Sequence, residues 1–260
     1  MPSFKQLLAG PDLIRVFALG RVMNPVVIEM FGLAGGYHGF WLDLEHSFIT
    51  TEQITMAAIA ARANQMDSFV RMPPTGYWQV TQCLEAGAGG VMGAQIRSAD
   101  HAREFNSWCR FAPEGVRGLN MGGRDCDYTH KPLAKFVEDA NRDVFVAIQI
   151  ETLGALEEAD AIAAIDGVDL LFIGPADLSL ALGVVAQFHH EKLWQAIGRV
   201  AQACKQHGKH WGCVAPDPQF ADRAVELGCR MPTIGNEMHV LRRGVAAIQS
   251  SYATMFQPRP

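Results

Sequence analysis

Residues 144–180 read VFVAIQIETLGALEEADAIAAIDGVDLLFIGPADLSL, and no other stretch narrows the choice of fold as far. Two short apolar runs, Val144–Ile150 and Leu170–Ile173, have the β-branched and aromatic content of buried strands, and each ends on a turn signal. Between them Thr152–Ala164, Ala-rich and acidic on one side, has the length of a crossover helix. Each run delivers an acid: Glu151 where the first ends and Asp177 just past the second. Parallel strands joined in this way put both exits on one edge of a sheet, so the two carboxylates converge. Such oxygen ligands suit Mg²⁺ or Mn²⁺. The alternative is that each acid caps the helix that follows it, where the helix dipole favours negative charge.

The same alternation runs through the chain. Strands are expected at Ile14–Leu19, Gly39–Leu44, Ser68–Arg71, Gly90–Ala94, Val144–Ile150, Leu170–Ile173, His210–Val214 and Arg230–Ile234. Helices fill the gaps, most clearly at Thr51–Asn64, Ala99–Arg110, Glu191–His207, Pro218–Leu227 and Met238–Ser250, and Thr50 with Gln53 forms a capping box for the first of these. Eight strands alternating with helices, with no linker or repeat, predict an α/β fold, a (β/α)₈ TIM barrel, as one domain over residues 1–260. A doubly wound open sheet is the rival, but no GxGxxG follows the first strand. Phe111–Arg142 is too long for a simple connection, and its GVRGLNMGGRD run reads as an active-site loop.

Composition excludes other classes. Apolar residues make up 49% of the chain and mean hydropathy is +0.05, enough for a large core. The formal net charge of −5, with no basic run, argues against a nucleic-acid partner. No apolar run approaches membrane-spanning length. The six cysteines form no CxxC pair, and the opening MPSFKQLLAG lacks the features of a signal peptide. Reduced thiols in a cytoplasmic protein are therefore expected.

In a barrel, catalytic groups sit at the C-terminal ends of strands. The second strand exits as Asp43-Leu44-Glu45-His46, the third ends on Arg71, the fifth ends Gln149-Ile150-Glu151, and the sixth runs into Gly174-Pro175-Ala176-Asp177. Residues two apart share a strand face, so Gln149 and Glu151 point the same way. His46 has the proton affinity for transfer near neutral pH, and Asp43 is placed to orient it. A lone histidine after a strand is also an ordinary polar core or capping residue. Arg71, held before a rigid Pro-Pro turn, suits an anionic substrate; its structural alternative is an ion pair with Glu85 or Asp43. The GPADLS turn offers backbone N–H groups to a carboxylate.

WLDLEHS, VRMPP, LEAGAGGVMGAQIRSADHAREF, FAPEGVRG, IQIET and GVDLLFIGPADLSLALG together resemble the HpcH/HpaI aldolase family, the metal-dependent class II pyruvate aldolases. The resemblance runs in order from about Phe4 to the last helix. It implies a (β/α)₈ barrel whose C-terminal helix is domain-swapped, in a homo-hexamer built as a trimer of dimers. It implies that Glu151 and Asp177 hold a divalent ion (Mg²⁺, Mn²⁺ or Co²⁺) with Gln149 beside it, and that His46, oriented by Asp43, is the acid/base. Arg71 would stabilise the enolate oxygen, and the N–H groups of Ala176 and Asp177 would bind the carboxylate of a 2-oxo acid whose partner is an aldehyde.

The chain departs from that pattern at Glu85, where the family commonly has Asp beside the arginine, and at Gly93-Ala94-Gln95, where it commonly has Pro. Gly235-Asn236-Glu237 replaces a GxD pattern, and Arg21 is an added cation near the expected pocket. These changes leave the expected metal and enolate residues in place and bear on the aldehyde partner. Two rival functions remain: a citrate-lyase-β or malyl-CoA-lyase-like enzyme acting on a thioester, and a barrel that binds a 2-oxo acid without turnover. The compact length and the EH motif favour the free-acid aldolase.

Overall fold

In the computed structural model, which describes residues 2–257, all eight expected strands form and close in chain order into a parallel barrel. They are β1 (Val16–Leu19), β2 (Gly39–Asp43), β3 (Asp67–Met72), β4 (Gly90–Gly93), β5 (Phe145–Ile150), β6 (Leu170–Ile173), β7 (His210–Val214) and β8 (Met231–Asn236). The circle closes where β1 pairs with β8. Helix α1 (Phe4–Ala9) precedes the barrel; α2 (Pro25–Ala34), α3 (Thr51–Ala63), α4 (Tyr77–Glu85) and α5 (Ala99–Trp108) follow β1 to β4. Then come α6 (Leu133–Asp143), α7 (Leu153–Glu157), α8 (Ala159–Ala163), α9 (Pro175–Ala181), α10 (Glu191–Gln206), α11 (Pro218–Glu226) and α12 (Glu237–Ser251). The capping box at α3 forms as expected: Thr50 accepts from the Gln53 N–H and Gln53 accepts from the Thr50 N–H.

Strand alternation splits the core in two. Outward side chains such as Phe40, Val70, Ile148 and Leu171 pack beneath the helices, while Trp41, Phe69, Met92, Phe145, Phe172 and Met231 fill the barrel. Helix α1 plugs the N-terminal end. The Phe4 ring lies 5.3 Å from that of Phe69 and 5.7 Å from that of Phe145, and the Phe4 N–H donates to buried Asp67 Oδ2 (2.9 Å). Removing that ring would cost about 3–5 kcal/mol. With the N-terminal end closed, polar groups gather at the C-terminal mouth.

Two local expectations are corrected. The segment Thr152–Ala164 is two short helices, α7 and α8, because Glu158 leaves helical geometry (φ −100°, ψ 17°) and its carboxylate accepts from the Ala99 N–H at 2.7 Å. Phe111–Arg142 is not an active-site loop. It contains α6 and a satellite core of Phe111, Cys126, Phe136 and Ala140. Arg117 stacks on the Phe111 ring (4.6 Å) and pairs with Asp125. From there the chain runs along the outside of α4, with Gly118 beside Tyr77 at its start and Gly123 beside Glu85 at its end. This path leads away from the mouth.

The six cysteines are buried and free, with Cys213 and Cys229 sulfurs 3.7 Å apart. No helix among the described residues is long and apolar enough to cross a membrane.

Candidate active site

The inward faces of the strands end in charge. On β2 the row Trp41, Asp43 continues to Glu45; β3 ends on Arg71; β5 ends on Gln149 followed by Glu151; β6 runs into Gly174 and Asp177. Sequence-predicted Asp43, Arg71, Gln149, Glu151 and Asp177 therefore come to one end of the barrel, with His46 on the loop after β2 and Ala176 in the first turn of α9.

Arg71, only 7% exposed, is held on three sides. Its Nε donates to Asp43 Oδ1 (3.1 Å) and its Nη2 to Asp43 Oδ2 (2.8 Å), a bidentate pair. Nη1 lies 3.3 Å from Glu45 Oε2, and the guanidinium stacks 4.5 Å above the Trp41 ring. Of the two structural partners the sequence allows, Asp43 is the one used. Glu85 sits at the far end of α4 and accepts from Asn120 (2.9 Å).

Asp43 does not hold the His46 ring. Its Oδ1 also accepts the Glu45 and His46 N–H groups (3.1 and 3.2 Å), closing the turn that ends β2, so its oxygens are engaged by the turn and by Arg71. The His46 side chain is 58% exposed, and its Nε2 lies 3.6 Å from Glu45 Oε2. Glu45 thus stands between imidazole and guanidinium. Burial, with the Asp43 and Asp177 charges, pushes its carboxyl above the usual range, while Arg71 and His46 pull it back.

Glu151 is 2% exposed, and both its oxygens are in use. Oε1 accepts from the Gln95 N–H (2.8 Å) and Nε2 (3.1 Å); Oε2 accepts from Gln149 Nε2 (2.5 Å). Gln95 reaches it from a left-handed backbone, φ 52°. Burial, then the charges of Glu45 and Asp177, raise the Glu151 carboxyl to about 7 against the opposing pull of Gln95 and Arg71. Gly174 is required beneath this group, because a Cβ there would lie 2.6 Å from both Gln149 Nε2 and Glu151 Oε2.

Among the described residues no group of three or more His, Cys, Asp or Glu forms a complete protein metal site. The donor set nevertheless fits a hard divalent ion that takes its remaining ligands from water and substrate. The charges of Glu45 and Asp177 oppose ionisation of Glu151, and that of Asp177 opposes ionisation of Glu45. Buried Gln149 Oε1 has no hydrogen-bond partner. A cation between the Glu151 and Asp177 carboxylates would relieve that repulsion.

The β1 exit is tied to the start of α12. Buried Glu237 Oε1 accepts the N–H groups of Gly20 (2.9 Å), Arg21 and Val22 (3.4 Å), a backbone nest closed around one carboxylate oxygen. Asn236 caps the helix, accepting from the His239 N–H (2.8 Å). The Arg21 side chain reaches the neighbouring β2 exit, its Nη2 donating to the His46 carbonyl (2.6 Å).

Sequence reasoning gave no site role to Glu45, Trp41, Gln95 or Glu237, the last two appearing only as departures from the family pattern. Glu45 was findable: it shares the face of Asp43 by period two. Gln95 and Glu237 gave no such signal, since their partners lie 56 and 217 residues away.

The profile of the HpcH/HpaI aldolase/citrate lyase family matches residues 20–244. The chain is 27% identical over 250 residues to a 5-keto-4-deoxy-D-glucarate aldolase of Klebsiella pneumoniae, covering 96% of each. It is 33% identical over 218 residues to a 4-hydroxy-4-methyl-2-oxoglutarate aldolase of Hapsidospora irregularis, covering 82% of this chain and 80% of that protein. A solved HpcH/HpaI aldolase from Desulfitobacterium hafniense superposes with a TM-score of 0.89 at 28% identity, over 100% of both chains.

Proposed function

The chain belongs to the HpcH/HpaI aldolase/citrate lyase family, and on that premise we propose that it is a carbon–carbon lyase dependent on a divalent metal. Its reaction is reversible cleavage of a 4-hydroxy-2-oxo acid to pyruvate, or a related 2-oxo acid, and an aldehyde. The observation that carries this reading is the clamped Arg71 beside the mutually repelling carboxylates Glu45, Glu151 and Asp177. Glu151 and Asp177 are the residues that would hold Mg²⁺, Mn²⁺ or Co²⁺. When bound, such an ion supplies Lewis-acid polarisation of the 2-oxo carbonyl.

The chain's own groups do the rest. Arg71, fixed by Asp43, Glu45 and Trp41, cannot swing away, so its charge is already aimed when negative charge develops on the C2 oxygen. His46 takes the C4 hydroxyl proton as the C3–C4 bond breaks; the electron pair passes into the enolate, and the aldehyde leaves. Glu45 faces the imidazole, its Oε2 3.6 Å from His46 Nε2. Protonation at C3 then yields the 2-oxo acid. Gln149 and Gln95 orient Glu151, and the N–H groups of Ala176 and Asp177 receive the substrate carboxylate.

The partner of the barrel is proposed to be a second copy of the chain. Helix α12 buries only Glu237, while Met238, Leu241, Val245 and Ile248 stay about half exposed or more. Analytical ultracentrifugation tests this; a monomer at micromolar concentration would reject it.

Incubation with pyruvate and an aldehyde panel, with EDTA or with added Mn²⁺, tests the activity. Adduct formation that EDTA stops and Mn²⁺ restores is expected. Turnover unaffected by EDTA would reject the metal, and absence of adducts together with absence of pyruvate methyl exchange in D₂O would reject the aldolase.

A further inference from the structure

A cavity of about 230 Å³ opens at the N-terminal end of the barrel, opposite the mouth, and no step of the reaction uses it. It lies among the end of α3, the start of β3, the turn after α4, the Arg124–Cys126 turn and the end of α6. Part of the wall is apolar, formed by Ala58, Met66, Leu84 and Val144. The rest brings together three cations, Arg62, Arg124 and Lys131. Arg62 and Arg124 meet over Gly87, where a Cβ would stand 2.8 Å from Arg62 Nη1 and 2.9 Å from Arg124 Cγ. With φ at +105°, that position suits glycine on backbone grounds as well.

These cations are short of acids. Arg124 Nη1 and Lys131 Nζ share the Asp127 carboxylate, the lysine at 3.5 Å, and Lys131 also donates to the Asp125 carbonyl (2.9 Å). Arg62 Nη1 donates to the Gly87 carbonyl (3.1 Å), and among the described residues Arg62 forms no ion pair. The acids in the wall are engaged elsewhere. Asp125 pairs with Arg117, Asp139 with Lys135 and Arg142, and Asp143 with Arg142. Asp67 accepts the Phe4 and Ser68 N–H groups. Burial, then repulsion from Arg124, pulls the Arg62 guanidinium below its usual range, against the charges of Tyr128, Asp67 and Asp127. An anion between Arg62 and Arg124 would relieve that repulsion.

We propose that this cavity binds a phosphoryl group, carried by inorganic phosphate or by a short phosphomonoester. Three cations approaching from separate segments suit an anion whose oxygens face several ways, whereas a carboxylate presents two in one plane. Guanidinium forks take phosphate oxygens in pairs, and the lysine adds a point charge. The volume equals that of about seven or eight waters at ~30 Å³ each, room for the phosphoryl group and a few carbons along the apolar wall. Bound there, the anion ties α3 and the turn after α4 to the Arg124–Lys131 segment. Its effect therefore falls on stability, as the N-terminal face of such a barrel leads one to expect. The site stands apart from the aldolase reading, since none of its residues reaches the mouth.

The test is calorimetric titration and thermal unfolding of the full chain in EDTA-containing buffer, at fixed pH and ionic strength. Inorganic phosphate, glycerol 3-phosphate and acetate are compared. Saturable binding of a phosphoryl ligand, with a matching rise in Tm, is expected. Arg62→Gln and Arg124→Gln should each weaken it by about 10- to 100-fold, as loss of a charge-assisted contact does. Arg62→Lys, which keeps charge but not the fork, should fall between. Arg71→Ala, at the opposite end, should bind as wild type does. Each variant's rise is measured from its own Tm, so a less stable variant still reports on binding. Tighter binding of glycerol 3-phosphate assigns the site to an ester, and tighter binding of phosphate assigns it to the free ion; either supports the site. Acetate acting as well as phosphate would reduce the effect to ionic screening and overturn the proposal. So would binding kept in both glutamine variants, binding lost in Arg71→Ala, or no saturable binding to wild type.

Discussion

The Asp43 carboxylate grips the Arg71 guanidinium at both ends, Oδ1 to Nε at 3.1 Å and Oδ2 to Nη2 at 2.8 Å, with the Trp41 ring 4.5 Å beneath. Arg71→Ala should therefore lower turnover by about 10²–10³-fold and slow pyruvate methyl exchange to match, with Mn²⁺ affinity little changed. Asp43→Asn should act as a weaker copy of that variant, because it loosens the arginine. If Asp43→Asn instead shifts the histidine limb of the pH–rate profile and spares exchange, Asp43 acts on the imidazole.

Glu151→Ala and Asp177→Ala should each abolish metal-dependent activity, since two protein carboxylates are few ligands for a hard ion. The Glu151 carboxyl is raised to about 7, so a proton competes with the metal there. Mn²⁺ affinity, followed by loss of the free-ion EPR signal, should weaken as pH falls through 7. Either alanine variant turning over normally in metal-free buffer would refute the assignment.

His46→Ala should lose cleavage and keep Mn²⁺ affinity near wild type, because the imidazole points to solvent and to Glu45. A large drop in that affinity would move His46 into the coordination shell. Glu45→Gln removes the carboxylate 3.6 Å from the imidazole Nε2 and should slow cleavage, the step that uses His46, more than pyruvate methyl exchange.

Gly174→Ala places a Cβ 2.6 Å from Glu151 Oε2 and Gln149 Nε2, so the carboxylate must move. Circular dichroism should report an intact barrel while Mn²⁺ affinity falls by about tenfold or more, given that a shift of outer partners alone costs about 10–100-fold. Unchanged affinity would mean that Glu151 tolerates displacement and is not a ligand.

Asp67, buried at the opposite end, has its carboxyl raised from 3.8 to about 6 by burial, against the Phe4 and Ser68 N–H groups and Arg62. The folded state thus holds this proton more tightly than the unfolded chain. The resulting stability is present below pH 3.8 and lost as pH rises through 6. Thermal unfolding of Asp67→Asn should lack that part of the decline between pH 4 and 6.5. A decline identical to wild type would remove Asp67 as its source.

Local pattern sufficed wherever a residue's role depends on its near neighbours in the chain. Strand length and exit signals put Glu151 and Asp177 at successive parallel strand ends, and the VRMPP turn put Arg71 at another, so eight strands and most of the acid–arginine mouth were readable in advance. Glu45 was readable too, by alternation from Asp43, had the histidine beside it not drawn the acid/base role.

Partner choice was decided by the closed barrel alone. Asp43 has carboxylate oxygens within reach of His46 by sequence, but closure brings Arg71 of β3 beside it, and a buried guanidinium demands two acceptors more strongly than an exposed imidazole demands one. Glu237 meets the Gly20 N–H across 217 residues, and Gln95 meets Glu151 across 56. The segment after Phe111 is held by partners within itself, Arg117 with Asp125 and Phe111 with Phe136, and Asn120 ties it to Glu85 of α4, although its glycines read as a free loop. Periodicity records which face a residue presents; it carries no information about what stands opposite, because that is set by contacts between strands far apart in the chain.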